Sequence, residues 1–327
     1  MDAAGGDAAP PDAAVDAGAG TEGSVTVVGP ADCAGGAVRG ATCRDVVVHC
    51  PGLDDLHAIV GVATPPAAVR GTVVLHAGGG GTSFTFQGAN ATRYGDDLLQ
   101  AGFRVVQVAW ATDWEQTAGL GILAGSCRPA ALFRWAFTDV HQGDRTRGFC
   151  ALGSSGGSAA LSYALAHHGL GDTFDLVQLV AGPPFGRIDV GCAPRTYDGP
   201  PRRLCEALTD APIAFAAGAA REVGTWENTP GECRADAPAP ATLARWAADS
   251  VVSPGAVYAY PRTAVHFFYC ATNPNETTGL GSFYADAITS PHDVTCGTQC
   301  SGEGVMADPD VYAAMRTQMT TSCVPHH

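Results

Sequence analysis

Basic residues are scarce in this chain of 327 residues, and they form no cluster. The chain has 18 Lys and Arg residues against 32 Asp and Glu residues, which gives a formal net charge of −14. Proteins that bind nucleic acid need a basic surface to neutralise phosphates. The composition therefore excludes nucleic acid as an expected partner.

Long apolar runs are also missing. The longest, such as residues 211–220, stay well short of the roughly 18 consecutive apolar residues that suggest a membrane span. We therefore predict no transmembrane segment and a soluble folded part. No internal repeat is present, and a chain of this length is compatible with one domain of catalytic size.

Paired Cys-x-x-Cys knuckles are absent, although the chain has twelve cysteines. Zinc sites commonly use such pairs, whereas an even number of scattered cysteines favours disulfides. We therefore predict disulfide bonds, no metal and no cofactor, in a secreted, periplasmic or cell-surface protein. No signal peptide is visible, and we expect that Met1 replaces one.

Residues 1–24 have almost nothing to pack, because they are mostly Ala, Gly, Asp and Pro. Such a composition is typical of a disordered low-complexity linker. The segment resembles the tether that follows the acylated cysteine of bacterial lipoproteins, although no such cysteine is present. A lipid-anchored tether in the precursor is therefore an expectation of the resemblance only.

From residue 25 to residue 327, short β-branched runs alternate with segments that are apolar at helical spacing. This alternation predicts the α/β class, with a mostly parallel sheet and helices on both of its faces. Residues 191–262 interrupt the alternation with three cysteines, many prolines and two tryptophans. We predict a lid-like insertion there.

Two glycine-rich turns follow predicted strands. The stretch CALGSSGGSAAL, residues 150–161, reads as a buried strand, a turn and a helix, with Ser155 at the centre of a Gly-x-Ser-x-Gly pattern. The stretch VVLHAGGGGTSF, residues 73–84, is a strand that ends in four glycines. Glycine amides can approach a substrate closely, and an oxyanion needs two or three such donors.

Together, these motifs and their order resemble the α/β-hydrolase superfamily from about residue 25 to residue 324, and most closely its secreted esterases and polyester depolymerases. The resemblance implies the α/β-hydrolase fold, with Ser155 as nucleophile. It also implies an oxyanion hole formed by the amides of Gly79, Gly80 and Gly156. We interpret His76 as a structural residue that orients the loop.

The acid and the base depart from the superfamily pattern. The acid usually follows the strand after the insertion, where this chain has Asn273, and Glu276 is the nearest carboxylate. Asp189 and Glu303 are the alternative acids, in that order. Glu303 itself occupies the position at which the resemblance implies the histidine.

Among the histidines, we predict His292 as the base, because it preserves the order serine, acid, histidine. A helix that returns to start the next strand ordinarily ends at the opposite edge of the sheet, which counts against it. We interpret His266 as a core residue within a strand, and His141, His167 and His168 as residues at helix ends. His49 and His57 come too early in the fold, and His326 and His327 are tail residues.

Four aromatic residues follow the glycine loop or end the next strand, namely Phe84, Phe86, Trp110 and Trp114. They fit either a substrate pocket or the core. Our leading hypothesis is a secreted serine hydrolase that cleaves an ester-bearing small molecule or polymer through an acyl-enzyme. The alternative is a catalytically impaired α/β-hydrolase fold that acts as a cell-surface binding protein. A peptidase on the same scaffold is a third reading.

Overall fold

The computed structural model describes residues 22–84, 89–193, 205, 232–234, 238–272 and 276–326. Within these residues the core is one sheet in the order β1-β2-β3-β5-β4-β6-β7-β8-β9. The nine strands are Ser24–Ala31, Thr42–His49, Leu56–Ala63, Gly71–His76, Phe103–Trp110, Gly148–Ser154, Leu176–Val180, Ala264–Thr272 and His292–Ser301. Strands β4 to β9 run parallel, and β1, β2 and β3 join them through antiparallel pairings.

Helices cover both faces of this sheet. The described α-helices, numbered α1 to α8, are Ala89–Gln100, Ile122–Gly125, Cys127–Trp135, Gly156–His167, Ile188–Cys192, Pro240–Asp249, Glu276–Ala287 and Pro309–Ser322. Along β6, Phe149 and Ala151 belong to the hydrophobic cluster that contains α3 and α4, whereas Cys150 and Leu152 belong to the cluster that contains α1 and α8. The mostly parallel sheet with helices on both faces is therefore confirmed.

The central strands are buried along their whole length. Every residue of β4, β6 and β7 is buried, because each strand has neighbours on both sides and helices above and below. Buried parallel strands read as nearly continuous apolar runs, and this is the pattern of VVLH and FCALG in the sequence. The glycine-rich turns that follow β4 and β6 therefore open at the same edge of the sheet.

All twelve cysteines form disulfides, as predicted. The pairs are Cys33–Cys43, Cys50–Cys127, Cys150–Cys323, Cys192–Cys233, Cys205–Cys296 and Cys270–Cys300. Six disulfides indicate an extracellular or otherwise oxidising compartment. Across the described residues, no helix combines the length and the apolar character needed to cross a membrane.

The predicted segment boundaries fall largely outside the described residues. The predicted linker, residues 1–24, extends three residues beyond the undescribed segment 1–21, and β1 already begins at Ser24. Of the predicted insertion, residues 191–262, the structure describes the end of α5, a short turn at Glu232–Arg234, and the region from residue 238 that contains α6. Its role as a lid stays a prediction.

Candidate active site

Ser155 lies in the sharp turn between β6 and α4, at the carboxyl edge of the parallel strands. Its φ is 50° and its ψ is −117°, a conformation that L residues rarely adopt and that costs on the order of 1–3 kcal/mol. The surroundings hold it there, since its N–H donates to the carbonyl of Val180 at 2.8 Å and the Ser158 hydroxyl donates to its carbonyl at 2.5 Å. Ser155 is partly exposed while Ser154 and Gly156 are buried.

Three glycines around Ser155 are required by close backbone contacts. A Cβ on Gly153 would lie 2.2 Å from the carbonyl oxygen of Gly157, and one on Gly157 would lie 2.3 Å from that of His76. A Cβ on Gly156 would lie 2.1 Å from the carbonyl oxygen of Gly79. Real Cβ atoms do not approach other atoms so closely, so the turn after β6 packs directly against the loop after β4.

The loop after β4 is a tight turn fixed to the end of β5. The N–H of Gly81 donates to the carbonyl of Gly78 at 3.2 Å, and Gly79 and Gly81 have φ values of 56° and 71°. Two N–H groups at and beyond the end of β5, those of Trp110 and Trp114, donate to the carbonyls of Gly81 and Gly80. The carbonyl oxygens of Gly80 and Gly81 are thus hydrogen-bonded within the protein.

The amides of the two turns remain available to a ligand. Among the hydrogen bonds between described residues, none has the N–H of Gly79, Gly80 or Gly156 as its donor to a backbone or side-chain acceptor. Gly156 is the first residue of α4, and the first N–H groups of a helix have no partner within the helix. Within the described residues, the structure thus offers three backbone N–H donors beside a strained serine.

His76, the last residue of β4, is fully buried behind this loop. The Trp110 indole N–H donates to its Nε2 at 2.9 Å, and because an indole only donates, Nδ1 carries the proton and donates to the carbonyl of Ala77 at 2.9 Å. Burial lowers the pKa of His76 to about 4, although the bond to Ala77 opposes the shift. His76 is therefore a neutral structural residue with no lone pair left for the proton of Ser155.

A carboxylate and a cavity lie beside the glycine loop. A Cβ on Gly80 would lie 2.1 Å from Oδ1 of Asp113, so this side chain packs on the loop. Gln116 donates to Asp113 at 3.4 Å and also lines a cavity of about 610 Å³ between the turn at Gly52 and the loop after β5. The residues that line the cavity include neither Ser155 nor a residue of the glycine loop.

The structure does not bring His292 near Ser155. His292 is the first residue of β9, and its row in the sheet runs through Val265 and Val177 to Ala151. Ser155 is four residues beyond that row and three strands away, which is about 13 Å along the strands and about 14 Å across them. The returning helix α7 thus places His292 toward the amino edge, where its Nδ1 lies 3.0 Å from the carbonyl of Ser290.

Four further histidines also lie away from the carboxyl edge. One bonds to Thr72 near the start of β4, one donates its backbone N–H to Asp175 just before β7, and two follow the last turn of α4. Because α4 has twelve residues, its end is about 18 Å from Ser155. These histidines are His141, His326, His167 and His168.

The remaining described histidines are paired elsewhere. His49 on β2 bonds to Asp55, and His57 on β3 bonds to Asp45. Both strands are at least three positions from β6 in the sheet. His266 lies inside β8, 3.4 Å from Asp293. Only the terminal His327 is outside the described residues, so the structure places nine of the ten histidines and none of the nine can act on Ser155.

The candidate acids have separate surroundings. Asn273 lies outside the described residues, and Glu276 is the first residue of α7, which follows β8. Asp189 lies in α5 and forms a two-pronged ion pair with Arg187, at 2.8 Å and 2.5 Å. Glu303 is exposed in the turn after β9.

The aromatic residues belong to the core. Phe84, Trp110 and Trp114 are 2%, 2% and 0% exposed, which favours the core among the two alternatives, and Phe86 lies outside the described residues. Sequence reasoning missed the function of Trp110, which fixes the tautomer of His76. The signal in the sequence was a tryptophan at the end of the neighbouring strand, because its indole N–H can donate to a buried histidine.

The described residues contain no group of three His, Cys, Asp or Glu side chains that could hold a metal ion. Every cysteine is in a disulfide. The groups that the structure offers to a ligand at this edge are the Ser155 hydroxyl, the three glycine amides and nearby carboxylates.

No family model and no curated protein matches this chain. Among solved structures, one named "putative hydrolase" from Agrobacterium vitis S4 is similar, with a TM-score of 0.51 and 14% identity over 87% of this chain and 100% of that chain. Carboxyl esterase 2 of the fungus Tuber melanosporum matches with a TM-score of 0.48 and 12% identity, over 87% of this chain and 86% of that chain.

Acetyl xylan esterase 1 of Thermoanaerobacterium sp. JW/SL YS485 matches with a TM-score of 0.48 and 14% identity, over 91% of this chain and 88% of that chain. At sequence identities this low, structural similarity shows that the fold is shared and shows nothing about activity. The chain has the α/β-hydrolase fold, as the two glycine-rich turns predict.

Proposed function

We propose that this protein is a secreted serine hydrolase that cleaves carboxylic esters through an acyl-enzyme at Ser155. The observation that carries the proposal is the strained conformation of Ser155, because a fold keeps such strain where the surroundings enforce it and where function uses it. The six disulfides support the extracellular location. The substrate would be an ester-bearing small molecule or polymer.

The reaction would proceed in two steps. The Ser155 oxygen attacks the ester carbonyl carbon, and negative charge develops on the carbonyl oxygen. The amides of Gly79, Gly80 and Gly156 stabilise this charge by donating hydrogen bonds to that oxygen. The ester C–O bond then breaks, and the alcohol leaves with the proton that the Ser155 hydroxyl has lost. Water next attacks the acyl carbon, the acyl–serine bond breaks, and the Ser155 oxygen takes up the proton that the water has lost. Because these amides are already fixed by the contact between the two turns, they need no reorganisation when the charge appears.

A second candidate function rests on the histidines. A serine hydroxyl is a weak nucleophile without a base, and no described histidine can act on Ser155. This observation favours a catalytically impaired hydrolase fold that binds a ligand at the carboxyl edge.

One experiment separates the two functions. Wild-type protein is incubated with a fluorophosphonate probe and with p-nitrophenyl acetate, beside Ser155→Ala and the matched control Ser162→Ala. Ser162 is buried in α4, where its hydroxyl donates to the carbonyl of Ser158. We expect labelling and turnover in wild type and in Ser162→Ala, and a loss of turnover by at least about 10³-fold in Ser155→Ala.

Wild-type protein that is neither labelled nor active on esters would favour the binding protein. Activity that survives in Ser155→Ala would remove Ser155 as nucleophile. A thermal melt of each variant checks that the fold is retained, because a partly exposed hydroxyl contributes little to packing.

A further inference from the structure

The half-buried carboxylate of Asp113 lies against the glycine loop, and the reaction proposed above does not use it. We propose that Asp113 determines the substrate class: it makes the site favour esters that carry a positive charge close to the reacting carbonyl over esters that carry a negative charge there. This inference rests on the proposed ester hydrolysis at Ser155, with the amide of Gly80 as one of the oxyanion donors.

The side chain of Asp113 contacts the backbone of the glycine loop directly. A Cβ on Gly80 would lie 2.1, 2.2 and 2.3 Å from Oδ1, Cγ and Cβ of Asp113. Because a carbon–carbon single bond is about 1.5 Å long, Oδ1 lies within about 3.6 Å of the Gly80 Cα and within about 5 Å of the Gly80 amide nitrogen. An oxyanion at about 2.7–3.1 Å from that nitrogen would be no more than about 8 Å from the carboxylate.

Backbone contacts fix Asp113 relative to the loop and the loop relative to Ser155. The residue after Asp113 is the fully buried Trp114, whose N–H donates to the carbonyl of Gly80 at 3.2 Å. At the other end of the loop, a Cβ on Gly78 would lie 3.1 Å from the Cβ of Ser155. Asp113 and Ser155 therefore contact the same glycine loop, two residues apart.

In the part of the chain that the structure describes, no arginine or histidine forms an ion pair with Asp113. Its carboxylate accepts a hydrogen bond from the neutral side-chain amide of Gln116 at 3.4 Å. Arg128 supports the same loop, but its guanidinium donates to the backbone carbonyls of Trp114, Gln116 and Asp54. Burial lowers the pKa of Arg128, and the charge of Asp54 opposes this shift. The charge of Asp113 is therefore left to act on a ligand.

The surface next to Asp113 carries charge of the same sign. The loop after β5 and the turn after β2 enclose the cavity of about 610 Å³, and the described residues that line it include two carboxylates, Asp54 and Asp55, and one cation, Arg128. Asp55 also lies 2.7 Å from His49. The whole chain has a formal net charge of −14. A cationic ester is therefore attracted at long range as well as beside the glycine loop.

Coulomb's law gives the size of the expected effect. A unit charge on the ester, about 8 Å from the carboxylate, changes kcat/KM by about 2-fold at the dielectric constant of water and by about 30-fold at the effective value near a protein surface. The carboxylate also opposes the charge of the oxyanion, but this effect is common to all esters. Because the Debye length falls from about 10 Å at about 0.1 M salt to about 3 Å at about 1 M, salt should weaken the preference.

The test uses three acetyl thioesters that differ only in the charge of the thiol part. They are cationic acetylthiocholine, its neutral isostere with carbon in place of nitrogen, and the analogue with a sulfonate in place of the ammonium group. The released thiol is measured with dithiobis(nitrobenzoate), and the protein adds no thiol of its own because every cysteine is in a disulfide. We compare kcat/KM of wild type, Asp113→Asn, Asp113→Glu and the control Asp310→Asn. Asp310 is an exposed carboxylate at the start of α8, and its substitution changes the net charge by the same unit.

Each variant is compared with wild type on the same substrate, so that differences in intrinsic reactivity cancel. Relative to the neutral thioester, we expect Asp113→Asn to lower kcat/KM for the cationic thioester by about 2- to 30-fold and to raise it for the anionic thioester by about the same factor. Asp113→Glu should keep the wild-type order of substrates, because it keeps the charge. Asp310→Asn should match wild type, and about 1 M salt should reduce the wild-type preference.

The failure of this inference and that of the proposed function give different results. An active wild type whose substrate ratios are unchanged in Asp113→Asn, or a parallel loss on all three thioesters, overturns the inference and leaves the ester hydrolysis intact. Equal shifts in Asp113→Asn and Asp310→Asn also overturn it, because the net charge would then set the preference. A wild type that is inert on the thioesters and on p-nitrophenyl acetate overturns both. A thermal melt of each variant checks that the fold is retained.

Discussion

The surroundings of Ser155 differ between the β4 side and the β9 side of the sheet. On the β4 side, the site consists of backbone, with the amides of Gly79, Gly80 and Gly156 held by contacts in which a Cβ would lie 2.1 Å from a carbonyl oxygen. On the β9 side, the superfamily resemblance implies a side chain, a histidine, and this chain has Glu303 at that position. The backbone side keeps the superfamily pattern, and the side-chain side does not.

The contrast shows why the serine turn alone is weak evidence of catalysis. Gly153 and Gly157 are required by the packing of β6 against α4 and β4, whether or not Ser155 reacts. Such glycines persist for steric reasons.

Among the three comparisons that follow, the largest expected effect comes from the backbone side. Gly156→Ala would place a methyl group 2.1 Å from the carbonyl oxygen of Gly79, which must push the two turns apart. Because the oxyanion donors then lose their alignment, we expect kcat to fall by about 10²–10³-fold. Gly29→Ala is the control, since no atom lies within 4 Å of the new methyl group, and it should match wild type. Ester hydrolysis within threefold of wild type in Gly156→Ala would break the comparison.

A smaller effect separates the anchoring of the β9 side from general stability. Removal of Cys270–Cys300 by alanine at both positions opens a loop with a sequence separation of 30, and removal of Cys33–Cys43 opens one of 10. Chain entropy predicts similar losses of unfolding free energy, about 3–4 and about 3 kcal/mol. We expect only the first pair to lower kcat, because only it joins β8 and β9 close to the carboxyl edge at which Ser155 lies. Equal kcat values in the two double variants would contradict this role.

The smallest expected effect concerns the amino edge. His292→Ala should leave kcat and KM for p-nitrophenyl acetate within about twofold of wild type, because the sheet register separates His292 from Ser155. Its edge-on contact with Phe267, at 6.2 Å between ring centres, predicts a modest loss of stability of about 0.5–1.5 kcal/mol. A collapse of kcat in this variant would mean that the strand register differs in solution.

Sequence reasoning predicted the fold well, because its signals are local. Apolar runs mark the buried strands, and the glycines of residues 78–81 and 153–157 mark the turns at their ends. The order of a serine, an acid and a histidine along the chain was a poorer guide. It does not encode the edge of the sheet at which each residue lies, and α7 returns the chain to the amino edge before His292.

The role of His76 was predictable only in part. Its place before four glycines indicated a structural residue, but its partner Trp110 lies on β5, which the chain reaches only after α1. The β-strand order β5-β4-β6 makes the two side chains neighbours. Such a long-range pairing cannot be read from spacing alone.

The disulfide Cys150–Cys323 sets an order on the biosynthesis of the protein. It joins β6, the strand that leads to Ser155, to the residue that follows α8, across a sequence separation of 173. A ribosome completes Cys150 long before Cys323, so this disulfide can form only after α8 has been synthesised and the residue that follows it has reached β6. Until then, the Cys150 thiol in the central strand is without its native partner.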